Sequence, residues 1–170
     1  MHAQAFASNF QPHMHLQPGI FIRSKTAALE DQLFGDAIVF ITEYNSNGTM
    51  GFIINKKFHR RFNELLEFAD APALELWLGG PMENEKLYFV HCRPDIIEES
   101  IALGKGIYYG GNFNQAVNAL KQGKIEAHHI RLFIGYCGWD YLQLENEMKQ
   151  GEWIISNAEE WFSINRFYSI

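Results

Sequence analysis

A chain of 170 residues, 47% hydrophobic and 20% charged, is long enough to bury a substantial core without disulfide or metal staples. Its formal charge of −6 speaks against a nonspecific nucleic-acid binder, which needs a basic surface, and leaves room only for a local basic patch. No window approaches the roughly 18 apolar residues of a membrane span, and residues 1–17 hold no Lys or Arg for a secretory leader. Cys92 and Cys137 lie far apart with no CxxC spacing, so the expected setting is a reducing, cytoplasmic one. Aromatic residues make up 15% of the chain, with 14 Phe among them, which points to a core built from rings.

In chain order, residues 1–17 read as an N-terminal arm and residues 18–170 as one domain. A short strand is expected over 19–23 and a short helix over 26–33. Residues 36–44 form the clearest long strand. Asn45-Ser46-Asn47-Gly48 supplies turn chemistry, and the strand returns over 50–54 as a hairpin. Residues 56–61 read as a solvated loop. Phe62, Leu65, Leu66 and Ala69 then recur at helical spacing. Residues 74–78 and 86–92 read as strands on either side of Gly79-Gly80-Pro81, while 94–105 fits helix or extended chain equally. A strand at 107–109 precedes a helix capped by Asn112 with Gln115 at its third position, lined by Phe113, Ala116, Val117 and Leu120 and ended by Gly123.

Residues 130–134 are bulky and β-favouring, and Gly135 and Gly138 then bracket a sharp corner. Asp140 is the expected N-cap of the next helix, with Gln143 completing a capping box, so Asp140→Ala would cost ~1 kcal/mol. A strand over 153–155 and a helix opening at Asn157-x-x-Glu160 with Trp161 and Phe162 end the chain. The hairpin makes at least part of the sheet antiparallel. The expected fold class is α+β: a curled mixed sheet, partly antiparallel and tending to a partial barrel, flanked by helices.

Four blocks of sequence together resemble the bacterial YqgE/AlgH family. They are Asn47-Gly48-Thr49-Met50-Gly51-x-x-x-Asn55, Gly79-Gly80-Pro81-Met82, Tyr88-x-Val90-His91 and Gly135-Tyr136-Cys137-Gly138-Trp139, the last followed by Gln143-Leu144-Glu145-x-Glu147 and Trp153. The resemblance runs from about Pro18 onward and implies the same curled sheet with helices outside it. The family commonly has Ala at Cys137, Gly at Leu142 and Pro at Lys56. Some members carry a transcriptional-regulator label without a DNA-binding motif, so the resemblance implies no defined activity.

Catalytic templates fail one after another. Cys137 with His91 or His129 as base would make a thiolate nucleophile, but the family's small residue at that position argues for a buried turn residue. His13 and His15, or the adjacent His128 and His129, lack the further ligands of a metal site. Gly79-Gly80-Pro81 and Gly104-x-Gly106 carry no phosphate-loop pattern. Glu145 and Glu147, two apart on a helix, diverge. The basic run with Lys56, Lys57, Arg60 and Arg61 around Phe58 and His59 is the one nucleic-acid candidate, against the acidic whole. Asn55, Gly79, Gly80, Pro81, His91, Gly138, Trp139 and Gln143 remain. They either line one ligand cleft or form a hydrogen-bonded network that fixes the corner.

Three readings follow. A non-enzymatic binding or regulatory protein, with an unidentified protein or small-molecule partner and no cofactor or metal, comes first. A small enzyme using His91 and the Trp139 corner, or a nucleic-acid accessory factor using the basic run, are the alternatives. In every case Trp139 is expected to wedge between helix and sheet, its indole N–H on an acceptor.

Overall fold

The computed structural model describes residues 14–27 and 30–156. Among the described residues the strands are β1 (Phe21–Ser24), β2 (Ile38–Asn45), β3 (Gly48–Ile53), β4 (Lys57–Arg61), β5 (Glu75–Leu78), β6 (Met82–His91), β7 (Ile101–Gly104), β8 (Ile107–Tyr109), β9 (Ile130–Trp139) and β10 (Trp153–Ser156). The helices are α1 (Phe113–Lys121) and α2 (Gln143–Lys149). The strands lie in the order β10-β1-β2-β3-β9-β6-β8-β7, with β5 set beside β9 and β4 beside β5. All these pairings are antiparallel except β5 with β9, so the expected α+β fold with a mixed sheet is what forms.

The sheet curls until its two ends nearly meet. Gly19, just before β1, lies so close to β7 that a Cβ on it would stand 2.3 Å from the Leu103 carbonyl oxygen. The interior of the curl is a ring-rich core of Phe21, Phe40, Phe52 and Phe133, joined by Val90 and Ile107. Phe52 and Phe133 stack at 4.6 Å between centroids. This partial barrel is the reason for the high aromatic content: large rings fill a wide interior that aliphatic side chains would leave underpacked.

β9 is the axis of the molecule, and one residue decides how it works. Ile130, Leu132 and Ile134 face outward under α1, while Phe133 faces inward. Gly135 then takes φ +70°, a left-handed conformation that inserts a bulge. Beyond it the parity is reversed: Tyr136 packs inward, and Cys137 and Trp139 face outward beneath α2. A one-residue slip moves every following side chain to the other face. One strand thereby serves two separate outer cores.

Several expectations are corrected. Residues 30–36 form turns rather than the end of a helix, because Asp31 accepts the N–H groups of Leu33 and Phe34 at 2.8 and 2.9 Å. The helix expected from Phe62 to Ala69 is two 3₁₀ turns, Phe62–Glu64 and Leu66–Phe68. Leu65 between them is extended (φ −79°, ψ 129°), and Leu66 is 92% exposed, so its place in the helical spacing buries nothing. The basic run is strand β4 rather than a loop. The ambiguous stretch after Pro94 resolves into turns followed by β7. The arm expected over residues 1–17 lies mostly outside the described residues, as do the helix opening at Asn157 and the imidazole of His13. Other elements form as expected: the hairpin of β2 and β3 pairs Asn45 with Gly48, and Asn112 caps α1 through Gln115 N–H at 3.1 Å.

The corner itself sits later than the glycines suggest. β3 pairs with β9 through Gly51–Cys137, Met50–Gly138 and Thr49–Trp139, so the strand runs on through the glycine bracket. The turn falls at 140–142, with Leu142 at φ +63° immediately before α2. Asp140 is not the N-cap. Its backbone N–H is instead capped by Gln143 Oε1 at 2.9 Å.

Candidate ligand site at the Trp139 corner

The outer core beneath α2 is closed by three rings, two of them edge-on to the third. Trp139 meets Trp153 edge-on at 5.7 Å and 87°, and Phe34 meets Trp153 at 6.0 Å and 81°. Trp139 is 7% exposed and packs with Cys137, Leu144 and Trp153, a wedge between α2 and the sheet as its sequence context predicts. Its indole N–H donates to Glu147 Oε2 at 2.9 Å. The Trp153 indole N–H donates to the same oxygen at 3.0 Å, and Gln143 Nε2 donates to Glu147 Oε1 at 3.1 Å. Glu147 therefore receives three hydrogen bonds, all from neutral groups, and makes no ion pair among the described residues.

Beside this clamp lies a cavity of about 320 Å³. Four of the eight residues expected at a cleft line it: Pro81, Gly138, Trp139 and Gln143. Gly79 and Gly80 stand behind it as close-packing backbone. A Cβ on Gly79 would meet the Gly135 oxygen at 2.3 Å, and one on Gly80 the Tyr136 carbonyl carbon at 2.2 Å. The glycine blocks do converge, but to let the β5–β6 connection press against β9. Asn55 is elsewhere and structural, accepting the Ile38 N–H and donating to the Asp36 carbonyl, both at 2.9 Å.

His91 is not part of this site. It pairs with Ile130 at the far end of β9, nine residues from Trp139, a span of roughly 30 Å in an extended strand. Its side chain is fully buried. Nδ1 accepts the Arg93 N–H at 3.1 Å, which leaves the proton on Nε2 to be donated to the Gly110 carbonyl at 2.9 Å. Ser100 Oγ lies 3.0 Å from that nitrogen while donating to the Ile97 carbonyl. Burial lowers the imidazole pKa and holds it neutral. The pairing of His91 with Trp139 in one cleft is thus overturned by the topology.

Cys137 is 1% exposed, and burial pushes its thiol up to about 12. It donates weakly to the Gly79 carbonyl at 3.4 Å, as an inert core group does. The basic run is largely committed. Lys56 Nζ donates to the carbonyls of Gln32 and Leu33, and Lys57 and Arg61 both reach Glu75, at 3.7 and 3.5 Å. Arg60 and His59 border a separate open groove with Leu66 and Phe68. Glu145 and Glu147 diverge as their spacing requires: Glu145 accepts the Tyr44 hydroxyl at 2.7 Å, away from the clamp. Among the described residues no helix is long and apolar enough to cross a membrane, and no three His, Cys, Asp or Glu are grouped to hold a metal.

Sequence reasoning missed the centre of the site. Glu147 and Trp153 stand in the block that resembles the family, but the sequence assigns them no role beyond half of a carboxylate pair and a strand residue. The available signal was the spacing: Gln143 and Glu147 share a helix face at i,i+4, and that face follows Trp139 directly.

A curled mixed sheet with an aromatic corner, a clamped carboxylate and no assembled nucleophile–base pair defines a class of α+β proteins rather than a reaction. Residues 21–166 match the AlgH-like family profile, and the chain belongs to that family, as its sequence blocks predict. It is 33% identical over 138 residues to a UPF0301 protein of Bacteroides thetaiotaomicron, covering 81% of this chain and 70% of that protein. A UPF0301 protein of Chlorobium limicola is 32% identical over 143 residues, covering 84% and 76%. Two solved structures share the fold: a Corynebacterium diphtheriae protein (TM-score 0.67, 19% identity, 84% and 76% covered) and AlgH of Pseudomonas aeruginosa (0.65, 21%, 84% and 80%).

Proposed function

We propose that the chain is a non-enzymatic binding protein of the cytoplasm, with its ligand site in the cavity at the Trp139 corner. The observation that carries this reading is the Glu147 clamp: three neutral donors hold one carboxylate at the wall of a cavity. A fixed polar group in an aromatic-walled pocket is how small-ligand sites obtain orientation and specificity. Among the described residues no lining hydroxyl is hydrogen-bonded to a carboxylate or imidazole that could activate it, and the thiol in the lining is held protonated. A regulatory role extends the same reading. The corner ties α2 to β10 and β1, so an occupied cavity would fix the surface those elements present to a partner macromolecule. Nucleic acid is the weaker partner choice, because Lys56, Lys57 and Arg61 already have partners within the fold.

The test is a panel of small cationic, neutral and anionic compounds added to the full chain, followed through the indole N–H resonances of Trp139 and Trp153. Binding at this cavity moves both resonances in a saturable way. A panel that leaves both unmoved at millimolar concentration removes the cavity as a ligand site.

A further inference from the structure

We infer that the cavity at the Trp139 corner selects a small quaternary ammonium compound, a free molecule of the choline type. This rests on the cavity being a ligand site at all, and it adds the chemistry of the ligand.

The first ground is charge. The cavity is lined by Asp31, Glu147 and Glu152, and no Lys or Arg is among its lining residues within the described part of the chain. Glu147 is the sharpest case, since both of its oxygens are oriented by indole and amide donors rather than by a cation. A half-buried carboxylate without a counter-charge favours whatever brings a positive charge next to it.

The second ground is the walls. Phe34 and Trp139 each stand steeply to Trp153, so the walls meet at angles around that ring. Aromatic faces attract cations through the ring quadrupole, Trp most strongly, and quaternary ammonium ligands are recognised in this way. An anion would meet both carboxylates and π-density, and a neutral molecule would leave Glu147 without a counter-charge, whereas Asp31 already has Lys56 near it.

The third ground separates quaternary from primary ammonium. A carboxylate offers about four acceptor positions, and Glu147 already uses three of them. Asp31 takes two backbone N–H groups on Oδ1, and Ser24 Oγ accepts the Thr26 N–H. Set against Glu147, a primary ammonium would find one open acceptor position for its three N–H donors. Methylated nitrogen brings its charge without donors and asks only for carboxylates and ring faces. The volume of about 320 Å³ lies at the small end of ligand pockets, which suits a headgroup-sized molecule.

The experiment titrates the full chain with choline chloride and with tetramethylammonium chloride, reading tryptophan fluorescence and the two indole resonances. The expected result is a saturable change for both salts, absent with sodium chloride at equal ionic strength. 3,3-Dimethylbutan-1-ol, the neutral isostere of choline, is expected to bind at least about tenfold more weakly, since it keeps the shape and loses the cation–π and carboxylate attraction. Glu152→Gln removes one wall charge at an exposed position and is expected to weaken choline several-fold while leaving the melting temperature unchanged. Trp153→Phe keeps a ring and removes one donor to Glu147, and is expected to weaken choline further.

Equal binding of the isostere, or an affinity unmoved in Glu152→Gln, overturns the inference. So does tighter binding of methylamine than of choline. Indole shifts caused by neutral or anionic compounds and not by choline overturn the ligand class while leaving the cavity as a binding site. Silence with every compound sinks both readings. Phosphatidylcholine vesicles provide the remaining arm: sedimentation of the chain with them, without competition by free choline, would mean that a lipid surface rather than the free molecule is recognised.

Discussion

The two ends of β9 each bury a polar group with three neighbours in hydrogen-bonding range, and they do opposite things. At the Ile130 end His91 is neutral, fully enclosed and saturated by Arg93, Gly110 and Ser100. At the Trp139 end the half-buried Glu147 is also well bonded, but it is an acid beside a cavity and pairs with no cation among the described residues. A polar group in a core is therefore no indicator of function on its own. What separates a structural network from a site is residual charge and an open volume next to it.

Gly135→Ala is the largest way to break the comparison, because it removes the bulge that sends β9 into two outer cores. Alanine there must hold φ +70°, and its Cβ would stand 2.3 Å from the Gly80 oxygen and 2.8 Å from the Met82 oxygen. All of these are backbone atoms that cannot move aside. A loss of at least about 4 kcal/mol is expected, enough to prevent folding of a marginal domain. Chemical denaturation, or recovery only as insoluble protein, checks it.

Trp139→Ala attacks one end alone. Truncating a buried indole costs about 3–5 kcal/mol, and Glu147 also loses one of its donors. Trp139→Phe is expected to recover most of that loss. A Trp139→Ala protein that unfolds like wild type would show that the ring does not hold the corner.

His91→Phe breaks the other end, stranding the Arg93 N–H and the Gly110 carbonyl at a cost of about 1–3 kcal/mol. It also carries a pH signature. The folded imidazole has its pKa lowered by burial, with the Gly110 hydrogen bond and Asp95 acting the other way, so below the ordinary His range the unfolded chain binds a proton that the folded chain refuses. The stability owed to neutral His91 is present above pH ~6.5 and declines as pH falls from there toward the lowered folded value. Melting curves from pH 7.5 to 5 should show this decline in wild type and a flatter profile in His91→Phe. Parallel profiles would mean that His91 does not set it.

The difference between the two ends was only partly readable in the sequence. Strands with strong alternation or turn chemistry, such as β2 and β3 around Asn45 and Gly48, declare themselves locally. The left-handed bulge at Gly135 does not, because a glycine permits such a conformation without requiring it. That one choice decides whether Cys137 and Trp139 face inward or outward, so Trp139 could be recognised as an anchor while its acceptor could not. His91 and Trp139 looked like partners because both stand in distinctive blocks. Only the antiparallel pairing of β6 with β9 reveals that the blocks lie at opposite ends. The helical spacing after Phe62 failed because Leu65 takes an extended conformation between the two turns and Leu66, at 92% exposed, has nothing to pack against.

Leu142→Gly should sharpen the Trp139 end by a small gain. Leu142 is exposed and sits at φ +63°, where a β-carbon costs roughly 1–2 kcal/mol and glycine is at ease, although glycine also gives up some chain entropy. The net expectation is a stabilisation of about 0.5–1 kcal/mol, visible as a rise in melting temperature with choline titration unchanged. A fall in stability would show that the Leu142 side chain has packing to lose.

The smallest effect belongs to Asp140, and it separates two accounts of how the corner is held. By residue type Asp140 is a good N-cap, and its loss would then cost ~1 kcal/mol. In the fold its contribution runs through the backbone: its N–H is given to Gln143 Oε1 at 2.9 Å and its carbonyl accepts the Gln143 N–H at 2.9 Å. Neither contact needs the carboxylate, which is exposed. Asp140→Ala is therefore expected to stay within about 0.5 kcal/mol of wild type, as surface substitutions do. Gln143→Ala removes the cap on the Asp140 amide and the donor to Glu147 together, and should cost about 1 kcal/mol or more. The order of the two variants in urea midpoints decides the matter. If Asp140→Ala proves the more damaging, the acid caps α2 after all, and the clamp on Glu147 begins one residue type earlier than the geometry places it.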